Sequence, residues 1–390
     1  MLVNDCIEDL KKRRQNLLNG NINSIPTPFK RFENDFIGIE RACYYCITSY
    51  TKGAKTQFSS FVFIFHSLLY AYEHPNLNIN INIFYFNLEE TPEKIMNRLM
   101  SYLLFKYNNI RISPRDLLST VNTKPVPTEI LQLLETDKYK NVLEFFEKHI
   151  IFSSTSNPTG IYKECKDYAE KHGKTFTNEK EIIDEMGFPK KIKIFEKYQA
   201  DDPNEYKLIY IDHIGLIDTE KGMSLKQSMD KLSEYLAKYL RNRYGFTPVV
   251  IQQQSVEAEG NDSVALNRIR PSYRGLGDSK YIGRDCNILL GLFSPERFDL
   301  KTYLGYDITI FKNNIRFLEV CINRDGEMGG LVALYFDGVT CNFEELPKPN
   351  NSVEIKKVYD YLNKIRGHEV FTKNIINFIY RIRKEFSSIH

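Results

Sequence analysis

The sequence predicts an α/β fold, a mostly parallel twisted sheet flanked by helices and wound about a phosphate-binding loop. Three observations predict it. An apolar run at 42–47 passes through a turn into Lys55-Thr56, and residues 58–72 then turn apolar with helical spacing. A second strand pattern, NININIFYFN at 78–87, leads through Leu88-Glu89-Glu90 into a helix opened by Thr91-Pro92. A third apolar run, YKLIYI at 206–211, ends on Asp212. Strands that alternate with helices in this way belong to parallel sheets.

The first of these stretches, 47–58, reads ITSYTKGAKTQF. A strand, a turn of small residues, Lys-Thr and a helix form the context in which backbone N–H groups can point at phosphates. Lys55 would reach the β- and γ-phosphates, and Thr56 would set its hydroxyl on Mg²⁺. Ser49, Thr51, Lys52, Gly53, Ala54 and Gln57 complete the expected ATP-binding loop. Ser49 and Ala54 stand where the G-x-x-x-x-G-K-[ST] pattern has glycines, so Gly53 is expected to supply the flexibility. The plain alternative is a strand-to-helix turn with an ordinary lysine, and the order of the features that follow favours the phosphate loop over it.

The chain starts with a charged helix over 3–19, whose narrow apolar stripe (Ile7, Leu10, Leu17, Leu18) suits docking on something outside its own domain. Residues 25–36 read as a loop and Gly38-Ile39-Glu40 as a tight turn. Glu89, at the end of its strand, is placed where an α/β nucleotide enzyme orients water. Glu90 and Glu93 fit the first turn of the next helix. A helical region opens at Ser113-Pro114, followed by a short strand at 149–154 and a helix at 161–172. Residues 173–205 look like an insertion with a hairpin around 188–198. Asp212 would hold Mg²⁺ through its water shell. A helix over 225–244 and a strand over 247–252 lead to Gln253-Gln254, amides at a strand end that need a polar partner. Residues 256–282 form a long polar loop of the functional kind. Strands at 287–293, 317–324 and 329–336, the last two joined at Asp325-Gly326, and a closing segment at 342–347 complete the domain. Helices at 353–362 and 371–386 form a tail.

The 390 residues allow one large domain or two modest ones, and 42% hydrophobic content is enough for a sizeable core. Net charge is only +3, so nucleic-acid contact must come from a local loop rather than a global field. The longest apolar run is too short to span a bilayer. The charged N-terminus predicts no secretory leader, and the 7 Cys are then reduced thiols in a cytoplasm. Cys43 and Cys46 read as buried thiols rather than zinc ligands.

In order, Lys55-Thr56, Glu89, Asp212, Gln254 and Arg324 resemble the motifs of the C-terminal motor domain of DnaB-type replicative helicases, a RecA-like ATPase. The likeness spans roughly residues 10 to 345. Ser24-Ile25-Pro26-Thr27-Pro28-Phe29 resembles the I-P-T-G-F stretch of that family, Leu88-Glu89-Glu90 its S-L-E-M, Gln253-Gln254 its S-Q. Residues 270–280 resemble its DNA-gripping loop, and Arg324-Asp325-Gly326 with Gly329 its arginine-finger hairpin. The resemblance implies Glu89 as catalytic base, Gln254 as γ-phosphate sensor, and Arg324 as a finger completing a neighbour's site. It implies Arg274, Ser279 and Lys280 as DNA contacts, with single-stranded DNA, a hexameric homo-oligomer and primase or other replication proteins as partners. Departures are Ala54 for Gly, Ile322 for a Lys before the finger, and Gly277 for an Arg; the family's N-terminal helical domain has no counterpart. The expected layout is a docking helix at 1–23, a motor domain at 24–347 and a tail at 348–390, in a divergent, phage-like style. The competing expectation is a nucleotide-binding module with weak or no turnover, serving as a loader, recombination or structural subunit.

Overall fold

The computed structural model describes residues 2–183, 189–255, 269–277 and 279–367. Nine strands form the main sheet: β1 Tyr45–Ser49, β2 Ile81–Phe86, β3 Ile150–Ser153, β4 Tyr206–Ile211, β5 Thr247–Gln253, β6 Ile288–Phe293, β7 Ile315–Asn323, β8 Leu331–Asp337 and β9 Asn342–Glu345. Their order is β9-β8-β7-β6-β1-β5-β4-β2-β3. The strands from β6 to β3 run parallel. Beyond β6, the strands β7, β8 and β9 pair antiparallel. β1, β4 and β6 are buried along their whole length, as strands covered on both faces must be.

Side chains alternate between two cores with the period of a strand. Tyr45, Ile47, Leu208, Tyr210, Val249 and Ile251 pack on one face, under the helical segments that follow β1 and β2. Cys46, Ile209, Ile211 and Val250 pack on the other, under Pro158–Lys171 and the helix starting at Leu225. That second helix opens with a reciprocal capping box between Ser224 and Gln227. The helix after β1 begins at Lys55 and passes through a π-helical turn, Phe61–His66. Residues 61–65 are apolar all round because every side of this turn is buried. Cys43 and Cys46 are buried free thiols, and desolvation pushes the Cys43 thiol up to about 12.

Several expectations change. Gly38–Glu40 is a short strand, not a turn, paired with Ser24–Pro26. A Cβ on Gly38, at φ +119, would lie 2.0 Å from the Ile25 carbonyl oxygen, so this close approach admits only glycine. Thr91 precedes the helix Pro92–Asn108 without a side-chain cap, whereas Ser113 does cap Pro114–Leu117 through the Asp116 N–H. The hairpin in the insertion is far larger than its sequence suggests: Gly173–Ile183 pairs with Pro189–Ala200 along the full length of both strands. The tail helix Ser352–Gly367 folds back, burying Ile355 and Leu362 against Phe311, Phe317 and Tyr335. The expected helix at 371–386 lies outside the described residues. The helix Leu2–Leu18 keeps Val3, Leu10, Leu17 and Leu18 exposed, at 68%, 65%, 63% and 62%. No described helix is long and apolar enough to cross a membrane.

Candidate nucleotide site

Parallel pairing brings the sequence-predicted residues to one edge. Ser49 is in register with Gln253, and Phe86 with Ile211, so the segments leaving β1, β2, β4 and β5 emerge together. Glu89, Asp212, the two glutamines and the 50–54 loop therefore share the carboxyl end of the sheet, where α/β folds bind ligands.

The loop departs from the sequence expectation in its internal geometry. Gly53 is not the left-handed residue; Lys52 (φ 60) and Ala54 (φ 72) are. Gly53 is needed for space, since a Cβ there would meet the Ser49 Oγ at 2.6 Å. Ser49 is buried and its hydroxyl donates to the Tyr50 carbonyl at 2.9 Å, so it shapes the loop and does not face a ligand. An Ala in the left-handed region is disfavoured by roughly 1 kcal/mol relative to Gly. Ala54→Gly is therefore expected to raise stability by at most ~0.6 kcal/mol once the ~0.4–1 kcal/mol of unfolded-state entropy that Gly adds is subtracted. A thermal melt checks it, and a lower midpoint would mean that Ala54 carries no strain.

Arg316, on β7, is a loop support that sequence reading missed. It is 1% exposed, and its Nε donates to the Gly53 carbonyl at 3.0 Å. Its other nitrogens donate to the carbonyls of Asn313 and Ile315 and to Asn313 Oδ1, and its guanidinium lies 4.6 Å from the Phe336 ring centroid. Burial lowers its pKa to about 10. The available signal was one Arg within the apolar opening of a strand, IRFL at 315–318.

Asp212 is 1% exposed, and neither carboxylate oxygen has a hydrogen-bond partner of good geometry. Burial raises its pKa to about 7; the Thr56 hydroxyl and Lys55 pull it down, Glu89 and Glu90 push it up. A buried carboxylate with both oxygens free, beside a threonine hydroxyl, fits a hard divalent cation with oxygen ligands. Asp212 and Thr56 are thus the residues that would hold Mg²⁺. His213 turns away, its Nδ1 accepting from the Gly215 N–H at 3.2 Å.

The three glutamates separate clearly. Glu89 is exposed at the sheet edge. Glu90 is locked to Arg98 by two bonds of 2.7 and 2.5 Å, with both side chains largely covered. Glu93 is fully exposed, and the Thr91 hydroxyl holds its carboxyl below the usual range.

The two amides exchange expected places. Gln254 is 2% exposed; its Nε2 donates to Thr48 Oγ1 at 2.8 Å and to the Ser272 carbonyl at 3.0 Å, and its Oε1 accepts from the Ser272 N–H. It ties β1 to the 269–277 segment and has no free polar atom for a phosphate. Gln253 is half-buried, and its Nε2 donates to the Thr51 hydroxyl inside the loop. Gln57 reaches the Gly338 carbonyl at 3.4 Å.

Of the expected DNA contacts, Arg274 and Lys280 are exposed. Ser279 is buried and donates to Asp230 Oδ1 at 2.6 Å, which removes it from any strand-binding surface. Residues 256–268 of that loop lie outside the described residues. Arg324 is at the other end of the sheet. Asn323 pairs with Ile288, which pairs with Tyr45, the first residue of β1. The five-residue length of β1, ~3.3 Å per residue, separates that end from the loop. Arg324 is exposed and donates to the carbonyls of Cys286 (2.7 Å) and Arg284.

The fold is that of the RecA-like ATPase domain of DnaB-type proteins. A solved structure of the ATPase domain of a phage protein matches with a TM-score of 0.60 at 16% identity, over 88% of this chain and 99% of that one. A DnaB-like replicative helicase, described with its interactions with primase, matches with a TM-score of 0.56 at 16% identity, over 83% of this chain and 64% of that one. No protein-family profile matches the sequence, and no curated protein does.

Proposed function

We propose that the chain is an ATP-hydrolysing motor of the replicative-helicase kind, moving on single-stranded DNA as a ring, hexameric by analogy, with sites between subunits. The observation that carries this reading is Asp212, a buried carboxylate with two unpaired oxygens at the edge where Lys55 and Thr56 begin a helix. A buried charge without partners is disfavoured unless a cation is to join it. Bound Mg²⁺ would neutralise charge on the transferring phosphate. Lys55 and the loop N–H groups hold the phosphates. Glu89 orients and deprotonates water. Gln253 is better placed than Gln254 to meet the γ-phosphate, and Gln254 passes the state of β1 to the segment bearing Arg274. Arg274 and Lys280 are the proposed DNA contacts. Arg324 serves a neighbour. The exposed stripe of the N-terminal helix docks on an adjacent subunit, and primase or other replication proteins are the further partners.

A module with little turnover is the second reading, favoured by the left-handed Ala54 and by the bonds Arg324 makes to its own chain. The deciding experiment is ATP hydrolysis with and without single-stranded DNA, across protein concentration, for the parent, Lys55→Ala and Glu89→Gln chains. Lys55→Ala is expected to lose nucleotide hydrolysis without unfolding. Glu89→Gln is expected to keep nucleotide binding and lose ~10²–10⁴ in rate. Glu93→Gln should be near neutral, while Glu90→Gln should lower the melting midpoint, because it breaks the pair with Arg98. Equal loss of rate at all three glutamates would sink the assignment of Glu89.

A further inference from the structure

The arm formed by Gly173–Ile183 and Pro189–Ala200 is unlike the rest of the surface. It leaves the body where Pro158–Lys171 ends and returns just before β4 begins, at the end of the sheet opposite the nucleotide loop. Its cross-strand register sorts the side chains onto two faces. A bulge between Phe176 and Thr177, opposite Glu196, shifts the alternation near the base. One face looks inward: Phe195 and Tyr198 pack edge-on against Tyr244, at 6.0 and 5.2 Å between centroids. That face also carries Glu179 beside Lys191, at 3.8 Å, so its charges are mixed.

The other face carries Lys174, Lys180, Lys190 and Lys197, all exposed, and the cross-strand pairs place no carboxylate on it among the described residues; Glu196 stands unpaired in the bulge beside Lys197. The Lys174 and Lys197 ammoniums lie 5.2 and 5.0 Å from the same ring, Phe176. Two like charges gathered over one aromatic ring repel each other, and the ring quadrupole offsets part of this. Lys180 and Lys190 form a second cluster toward the tip, paired across to Ile192 and Ile182. Lys174 and Lys180 are six residues apart on one strand, so the two clusters stand ~20 Å apart. The tip itself, 184–188, lies outside the described residues.

We propose that this face of the arm is a second nucleic-acid site, binding the sugar-phosphate backbone of DNA outside the proposed motor path. Phosphates answer both features: a line of cations with no carboxylate paired among them, and an aromatic platform at one end. A protein partner would need to bring acids in the same double spacing, which a polyanion has along its whole length. A two-stranded ribbon is also narrow enough to lie along a duplex groove. The site needs neither bound nucleotide nor Arg274 and Lys280, so it stands or falls apart from the motor reading.

The test uses the full chain carrying Lys55→Ala, without ATP, and two fluorescent probes: an oligothymidylate and a blunt duplex, each titrated across a salt series. Lys174→Gln, Lys180→Gln, Lys190→Gln and Lys197→Gln together are expected to weaken binding at least ~10-fold near 0.1 M salt. The slope of log K against log salt should flatten by ~2–3 units. Lys191→Gln with Lys193→Gln, on the inward face, should leave affinity within about twofold, as rim charges without a phosphate do. Arginine at the same four positions should restore the slope, which separates charge from damage to the arm. A loss confined to the single strand assigns the site to displaced strand, and a loss confined to the duplex assigns it to duplex. Unchanged binding of both probes, or equal losses in the two glutamine variants, overturns the proposal.

Discussion

Asp212→Asn is expected to remove ATP hydrolysis, by at least ~10²-fold, and at the same time to stabilise the nucleotide-free protein. The first effect follows from losing the charge that would hold Mg²⁺, worth several kcal/mol at the transferring phosphate. The second follows from burial. The folded state raises the Asp212 pKa from its usual acidic value to about 7, so the folded chain holds that proton more tightly than the unfolded chain does. Its contribution to stability is fully present below the unfolded value near pH ~4. It declines as pH rises from there through about 7, and is then flat. Asparagine copies the neutral form at every pH, so the stability gap between variant and parent should open over that window and be greatest above it. A gain of ~1–3 kcal/mol at pH 8 is the expected scale for relieving one buried, unpaired charge. Thermal melts at pH 5 and pH 8 measure it, and adding Mg²⁺ with a non-hydrolysable nucleotide should close the gap by stabilising the parent alone. A variant less stable than the parent at pH 8 would show that something within the chain already compensates Asp212, and the cation site would be lost with it.

Mixing Arg324→Ala with Lys55→Ala should restore hydrolysis that neither variant has alone. Arg324 lies at the end of the sheet opposite its own loop and cannot reach its own phosphates. Where it serves a neighbour, a ring assembled from equal amounts of the two variants has an intact Lys55 facing an intact Arg324 in about a quarter of its junctions. A trans arginine is worth ~10³–10⁵ in rate where such fingers operate, so that fraction should stand far above either parent variant. Turnover per subunit should also climb steeply with concentration as rings form. To reach a neighbour, the guanidinium must leave the carbonyls of Arg284 and Cys286, which are replaceable hydrogen bonds at an exposed position. A rate independent of concentration, together with no rescue on mixing, would leave a self-contained nucleotide-binding module.

The sequence by itself determined the order of elements and the edge at which they meet. Apolar runs such as YKLIYI are strands because both faces of a parallel sheet are covered, and a polar residue directly after such a run must stand at the carboxyl end of the sheet. Lys55, Glu89, Asp212 and the glutamine pair follow from that rule, and the observed boundaries differ from expectation by only a few residues. The tertiary structure alone decided which polar atoms remain free. Gln253 and Gln254 are neighbours with the same chemistry, yet Ser272 and Thr48 consume one amide and leave the other at the loop. Ser279 reads as a loop hydroxyl until Asp230, 49 residues away, accepts its hydrogen bond. Arg316 reads as a strand residue until β7 crosses under Gly53. Lys52 and Ala54, not Gly53, take the left-handed conformation, and Gly53 is held to glycine instead by the Ser49 side chain beside it. Periodicity reports which face a side chain joins, because that is a local property of the backbone. Hydrogen-bond satisfaction depends on residues far along the chain, and only the folded arrangement brings them within reach.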